Sequence, residues 1–277
     1  MKPIAEQTIL ITGATDGLGK QTALELAKQG ATILLHGRDP QRLDNTRQEL
    51  QAATGSTRLE PYLADFSSLD AVHALAETIQ ARHPQIDTLI NNAALGPGAP
   101  DSTRELSQDG YELRFAVNYL ASYLLTYLLL PCLRHTPPSR IINVGSIGQY
   151  PLDFDDIMLE RHYTPLNAYR QTKLALVMFT FDLADMLKDD DITVNCVHPA
   201  SLMNTKMVVE GFGRTMSTVA DGVASLLYLI TSPALDGITG KFFDHQQEAR
   251  ANEQAYDPVA RRQLHLLSEQ LTMRSRA

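Results

Sequence analysis

Tyr169 and Lys173 stand four residues apart, a spacing that puts both on one face of a helix, about one turn from each other. A lysine ammonium beside a phenol stabilises the phenolate and lowers its pKa from an ordinary value of about 10. A phenol tuned in this way gives or takes a proton near neutral pH. The same spacing also occurs on solvated helix faces, where it carries no chemistry. The pair acquires meaning only if the chain supplies a nucleotide for the lysine and a carbonyl for the tyrosine.

A nucleotide site is legible at the start of the chain. Thr8 to Thr12 is a short apolar run of strand type that enters Gly13-Ala14-Thr15-Asp16-Gly17-Leu18-Gly19. A helix follows, with Ala23, Leu26 and Ala27 at helical spacing and Gly30 as its stop. Glycines let a backbone approach a pyrophosphate, and the helix N-terminus favours its charge. A glycine turn can be purely structural, but strand, turn and helix in this order favour nucleotide binding. The second strand, Ala31 to His36, leads into Gly37-Arg38-Asp39-Pro40. An NAD site usually has an acid at the end of this strand for the ribose 2′-hydroxyl. Arg38 suits a 2′-phosphate instead, so NADP(H) is preferred, with NAD(H) second. Asp39 reads as a helix cap before Pro40, and His36 either helps Arg38 at the nucleotide or is a surface residue, as most histidines at such a place are.

The remaining elements alternate in the same way. A polar helix runs from Pro40 to about Ala53, and strand three spans Thr57 to Leu63 with Asp65 at its end, where adenine would lie. Ser67 with Asp70 resembles a capping pair for the next helix. Ile86 to Ile90 leads to Asn91-Asn92-Ala93-Ala94, and Arg140 to Val144 leads to Gly145-Ser146. The helix bearing Tyr169 and Lys173 packs through Leu174, Val177, Met178, Phe181 and Ala184. Ile192 to Val197 is strand six, broken by His198-Pro199-Ala200, and Lys241 to Phe243 is a last short strand. This alternation predicts an α/β fold: one Rossmann-like, doubly wound parallel sheet of about seven strands with helices on both faces. Ligands of such sheets bind at the strands' carboxyl ends, where Gly13, Arg38, Asp65, Asn91, Ser146 and Pro199 all fall. The expected unit is a single domain over 1–244, with 245–277 as its charged tail, helical around Val259 to Leu271.

Composition excludes other classes. Of 277 residues 44% are hydrophobic, enough for a substantial core. A net charge of −8 without a basic run argues against nucleic acid or an anionic membrane as partner. The uncharged stretch Phe115 to Leu133 carries Asn118, Ser122, Thr126 and Pro131, which favours a buried or interface helix over a membrane span. Cys132 and Cys196 read as reduced thiols of a cytoplasmic protein, the N-terminus lacks an apolar signal region, and the histidines form no metal-ligand cluster.

Five separated motifs in order resemble the short-chain dehydrogenase/reductase family: Thr12-Gly13-x-x-x-Gly17-x-Gly19, Asn91-Asn92-Ala93, Asn118, Ser146, and Tyr169-x-x-x-Lys173. The inserted run from Tyr150 to Asn167, Gly37-Arg38-Asp39 and the extended tail resemble its retinol-dehydrogenase-like branch, whose members often use NADP. The resemblance implies a hydride transfer between nicotinamide and the carbonyl or alcohol of a small molecule. In it Ser146 donates to the substrate oxygen, and Tyr169 is the acid for reduction and the base for oxidation. Lys173 holds the nicotinamide ribose and lowers the Tyr169 pKa, and Asn118 positions a relay water. Cofactor contacts are implied at Gly13, Thr15, Asp16, Gly17, Leu18, Gly19, Arg38, Asp65, Phe66, Asn92, Ala93, Tyr169, Lys173, Pro199 and Thr205. Asn91 is structural in this scheme. The helices around Tyr119 and Val177 resemble the faces that pair in family dimers and tetramers.

The sequence departs from the family at three places. Ala94 and Ala200 replace usual glycines, and Thr205 comes one residue late, so that either Asn204 meets the nicotinamide amide or the loop bulges. The segment 201–217, with Met203, Met207, Val208, Val209, Phe212 and Met216, reads as a mobile lid over an apolar substrate or as an amphipathic helix packed on the body. Two other functions compete with the oxidoreductase. A non-catalytic NADP-binding regulator would usually lack the tyrosine or lysine, and a nucleotide-sugar epimerase would usually carry a longer C-terminal domain.

Overall fold

Apolar runs bounded by glycine, proline and charged residues become the strands of one sheet in the structure, a computed structural model that describes residues 1–273. The strands are β1 (Thr8–Ile11), β2 (Thr32–Gly37), β3 (Leu59–Leu63), β4 (Thr88–Asn91), β5 (Ser139–Val144), β6 (Ile192–His198), β7 (Lys241–Asp244) and β8 (Gln247–Glu248). Their spatial order is β3-β2-β1-β4-β5-β6-β7-β8. All neighbours are parallel except β7 and β8. The sheet therefore has eight strands where about seven are expected. The extra one is two residues long, too short to leave a pattern, and forms because the chain reverses at His245, with φ of 58°.

Alternate strand residues face opposite layers. Leu10, Leu34, Leu89 and Ile141 join one core, and Ile9, Ile11, Ile33, Leu35, Ile90 and Ile142 join the other. The first core is covered by α3 (Leu69–Arg82), α4 (Ala121–Arg134), α5 (Pro165–Met186) and α8 (Pro258–Thr272). The second is covered by α1 (Gly17–Lys28), α2 (Pro40–Thr54) and α7 (Val219–Thr231). The chain winds in opposite directions from β1 and β4, which leaves a crevice at their carboxyl ends.

Local signals mostly act as read. The Asp39 carboxylate accepts from the Arg42 amide at 2.9 Å and caps α2, with Pro40 in its first turn. At α3 the cap is Ser68 and not Ser67. Ser68 Oγ accepts from Ala71 N at 3.3 Å, while the Ser67 amide is taken by Asp65 at 2.9 Å. The uncharged run starts as a π turn, Phe115–Leu120, and continues as α4. The helix Phe115–Arg134 is long and apolar enough to cross a membrane, yet 83% of its apolar window is buried inside the protein. Tyr119 hydrogen-bonds Ser268 at 2.7 Å and Tyr111 donates to the Leu271 carbonyl at 3.0 Å, so α8 packs over this helix within one chain. Residues 274–277 of the tail lie outside the described residues.

Candidate active site

The crevice opens into a cavity of about 900 Å³. Its glycine-rich end is assembled by hydrogen bonds between β1 and the loop after β4. Thr12 Oγ1 donates to Ile90 O at 3.2 Å and accepts from the amides of Asn92 and Ala93, both at 2.9 Å. Asn92 Nδ2 donates to the carbonyls of Thr12 at 2.8 Å and Gly13 at 3.1 Å. Gly13 has φ of 66°, and a side chain there would begin 2.8 Å from Ala93 Cα, so only glycine lets the two loops close. The Asp16 carboxylate accepts from Gly17 N at 2.7 Å and caps α1.

His36 is not a surface residue: it is 3% exposed. Its Nδ1 accepts from the Gly13 amide at 3.2 Å and its Nε2 donates to Ala64 O at 3.0 Å. Its ring stacks on Phe66 with centroids 4.2 Å apart. Burial holds its pKa down at about 4, so it is neutral near pH 7 and its acceptor faces the glycine loop. The imidazole thus braces the first glycine against the end of β3. Arg38 is exposed at the cavity rim. Arg42, which sequence reasoning missed, lines the same rim and pairs with Asp16 at 2.8 Å. Its position four residues after Arg38, in the first turn of α2, is the signal that marks it.

Behind the loops is a buried polar network. Asn91 Nδ2 donates to Thr126 Oγ1 at 2.9 Å and Asn143 Oδ1 at 2.8 Å, and Asn143 Nδ2 donates to Thr180 Oγ1 at 2.8 Å. It fixes β4 and β5 to α4 and α5. Asn143, a lone amide within an apolar strand, was the legible sign of it. Arg114, also missed, is 5% exposed and donates to the carbonyls of Gly96 at 2.8 Å and Pro97 at 2.6 Å and to Tyr163 Oη at 2.8 Å. It thereby fixes the loop after β4 to the segment before α5.

Ser146, Tyr169 and Lys173 line the cavity together. Lys173 is 3% exposed, and its ammonium donates to Val144 O at 2.8 Å, which leaves two N–H bonds for a ligand. Burial lowers its pKa to about 8. Burial raises the Tyr169 pKa to about 12, and the Ser146 hydroxyl pulls it partly back. The expected lowering of Tyr169 by Lys173 is therefore not the dominant effect. Desolvation wins, and Lys173 Nζ lies 5.5 Å from the ring centroid and is engaged by Val144.

Asn118 does not line the cavity. Its Oδ1 accepts from Leu95 N at 2.7 Å, and its Nδ2 donates to Leu95 O at 3.0 Å and Thr172 Oγ1 at 3.2 Å. Both amide hydrogens are used on protein, so the side chain clamps the loop after β4 to α5. Gly13, Thr15, Asp16, Gly17, Leu18, Gly19, Arg38, Asp65, Phe66, Asn92, Ala93, Pro199 and Thr205 all line the cavity. Thr205 packs against Gly17 and caps α6 (Lys206–Phe212), while Asn204 is exposed and outside the cavity lining. Of these two, Thr205 is the one brought to the site.

These residues fit a nicotinamide dinucleotide. The glycine turn ends at a helix N-terminus, a buried ammonium has donors unspent, and a phenol and a hydroxyl stand beside it. A family model for short chain dehydrogenases matches residues 7–213. The chain is 34% identical to retinol dehydrogenase 13 of Mus musculus, over 94% of this chain and 82% of that one. It is 33% identical to retinol dehydrogenase 14 of Homo sapiens, over 95% of this chain and 85% of that one. Among solved structures, a protein from Mycobacterium paratuberculosis superposes with a TM-score of 0.80 at 27% identity, covering 98% of this chain and 95% of that one. A short chain dehydrogenase from Shigella flexneri 2a, complexed with NADP, has a TM-score of 0.72 at 26% identity, covering 89% of this chain and 100% of that one. Motifs, topology and relatives agree: the chain belongs to the short-chain dehydrogenase/reductase family, in its retinol-dehydrogenase-like branch, and is an NAD(P)-dependent oxidoreductase.

Proposed function

We propose that the protein transfers a hydride between NADP(H) and a carbonyl or alcohol of a small, largely apolar substrate. The observation that carries this reading is that Ser146, Tyr169 and Lys173 share one cavity with the glycine turn and Arg38. Bound nicotinamide supplies the hydride. The protein's residues handle charge and protons. Ser146 donates to the substrate oxygen as it becomes an alkoxide. Tyr169, with its pKa near 12, is protonated at neutral pH and gives its proton to that oxygen. Lys173 directs its unspent donors to the ribose hydroxyls, and Asn118 acts as a positioning residue through the Leu95 loop. Arg38 favours a 2′-phosphate, in line with neighbours solved with NADP and NADPH. An apolar substrate suits the cavity wall of Leu95, Leu113, Val117, Leu202, Met207 and Phe212, and the relatives named retinol dehydrogenases support it. The test is NADPH and NADH oxidation against a panel of aliphatic and aromatic carbonyls. Turnover with a lower KM for NADPH is expected. Tight NADPH binding without turnover of any carbonyl would instead support the regulator.

A further inference from the structure

Arg170 follows the tyrosine directly, and the proton-transfer chemistry described above does not use it. It lines the same cavity as Ser146 and Tyr169 and is half-buried. Among the described residues its side chain has no hydrogen bond and no ion pair. The other cations at this end of the cavity are committed. Arg114 is spent on two carbonyls and Tyr163, Lys173 holds Val144, and Lys206 pairs with Glu210 at 3.7 Å. The first atom of a side chain on Gly148 would lie 3.4 Å from Ser146 Oγ and 3.7 Å from Arg170 Nε. The hydroxyl that faces the reacting oxygen and the guanidinium therefore border one small space, which the glycine leaves open. Ile147, 58% exposed, and Leu166, 39% exposed, give the same cavity apolar lining. Withdrawing a guanidinium from water without a counter-ion is unfavourable, and proteins normally pair such a group. A surface arginine would lie out in solvent, whereas this one is drawn into the mouth of a reaction cavity.

We infer that Arg170 is a specificity-determining residue that binds a carboxylate of the substrate, so that the preferred compound is an apolar oxo acid or hydroxy acid. This rests on the oxidoreductase reading of the site. The substrate presents its carbonyl to Ser146 and Tyr169, its carboxylate to Arg170 and its apolar body to Leu166, Leu202 and Phe212. One guanidinium matches a monoanion that accepts two parallel hydrogen bonds. Glu105, which also lines the cavity, disfavours a dianion such as a phosphate monoester.

The test compares acids with their neutral esters at saturating NADPH. Benzoylformate is paired with methyl benzoylformate, and 4-formylbenzoate with methyl 4-formylbenzoate, which samples two spacings between carbonyl and carboxylate. The wild type is expected to favour the acid over its ester in kcat/KM in at least one pair. Arg170→Gln lowers that acid-to-ester ratio by about thirtyfold, through KM for the acid. Arg170→Lys, which keeps the charge but not the fork, falls between them. Ester turnover with a ratio that Arg170→Gln leaves unmoved overturns the role of Arg170 alone. Absence of NADPH oxidation with all four compounds counts against the oxidoreductase reading and this inference together.

Discussion

The two ends of the cavity are built differently. The nucleotide end is stitched by side chains that reach across strands: Thr12 and Asn92 tie the glycine turn to the loop after β4, and His36 ties it to β3. At the substrate end, the segment 201–217 is hydrogen-bonded mainly to itself. Asn204 N donates to Ser217 O at 3.0 Å, Met216 N to Leu202 O at 2.9 Å, and Ser217 Oγ to Ser201 O at 2.6 Å. It meets the body through apolar packing, Met207 on Gly96, Gly211 against Pro97 and Met203 on Gly222. Its outer face leaves Met216 69% and Val209 51% exposed. A part whose hydrogen bonds are internal can move as one piece without breaking them. The loops that frame the glycine turn are thus tied across strands, whereas the segment 201–217 is tied mainly to itself.

This contrast ranks the consequences of disturbing each end. Among changes that touch cofactor binding the largest effect is expected for Lys173→Ala, which removes the ribose donors and a buried charge together. We expect kcat/KM with NADPH to fall by about a thousandfold, about 4 kcal/mol, in steady-state rates. In acid, the brace itself weakens. His36 contributes fully above its ordinary pKa of 6.5, and that contribution is lost as pH falls to about 4, because the unfolded chain takes up the proton first. The loss amounts to about 3 kcal/mol. His198, also held near 4 by burial, loses stability in the same direction. Urea unfolding of wild type and His36→Gln should therefore converge as pH drops from 7 to 4.5. A gap that stays constant would contradict the neutral brace. Arg38→Ala should raise KM for NADPH about thirtyfold, about 2 kcal/mol, and spare NADH. The smallest effect concerns the self-bonded segment. NADPH should slow protease cleavage within 201–217 several-fold, and equal cleavage with and without NADPH would contradict a lid.

Much of this was legible in the sequence, for identifiable reasons. Strand and helix alternation and the glycine turn depend on local patterns, so the sheet and the carboxyl-end placement of Gly13, Arg38 and Ser146 could be read directly. The side-chain partners could not. His36 looked like a surface residue because its burial depends on Phe66 and Ala64, about 30 positions away in sequence. Nothing local shows that Leu95 and Thr172 take up the Asn118 amide. The direction of the Tyr169 shift was missed for a similar reason. Lysine spacing is visible in sequence, whereas desolvation and the Val144 carbonyl that holds the ammonium are not.

The proton-transfer role of Tyr169 is tested most directly by single-turnover NADPH oxidation with a reducible carbonyl, comparing wild type with Tyr169→Phe. Both proteins should bind NADPH with similar affinity, and the variant should oxidise it at least about a thousandfold more slowly, because the ring remains and only the proton donor is gone. In the wild type the reduction rate should hold level below pH 8 and fall above it, as Lys173 loses its charge at about 8. Turnover by Tyr169→Phe within tenfold of wild type would contradict Tyr169 as the proton donor.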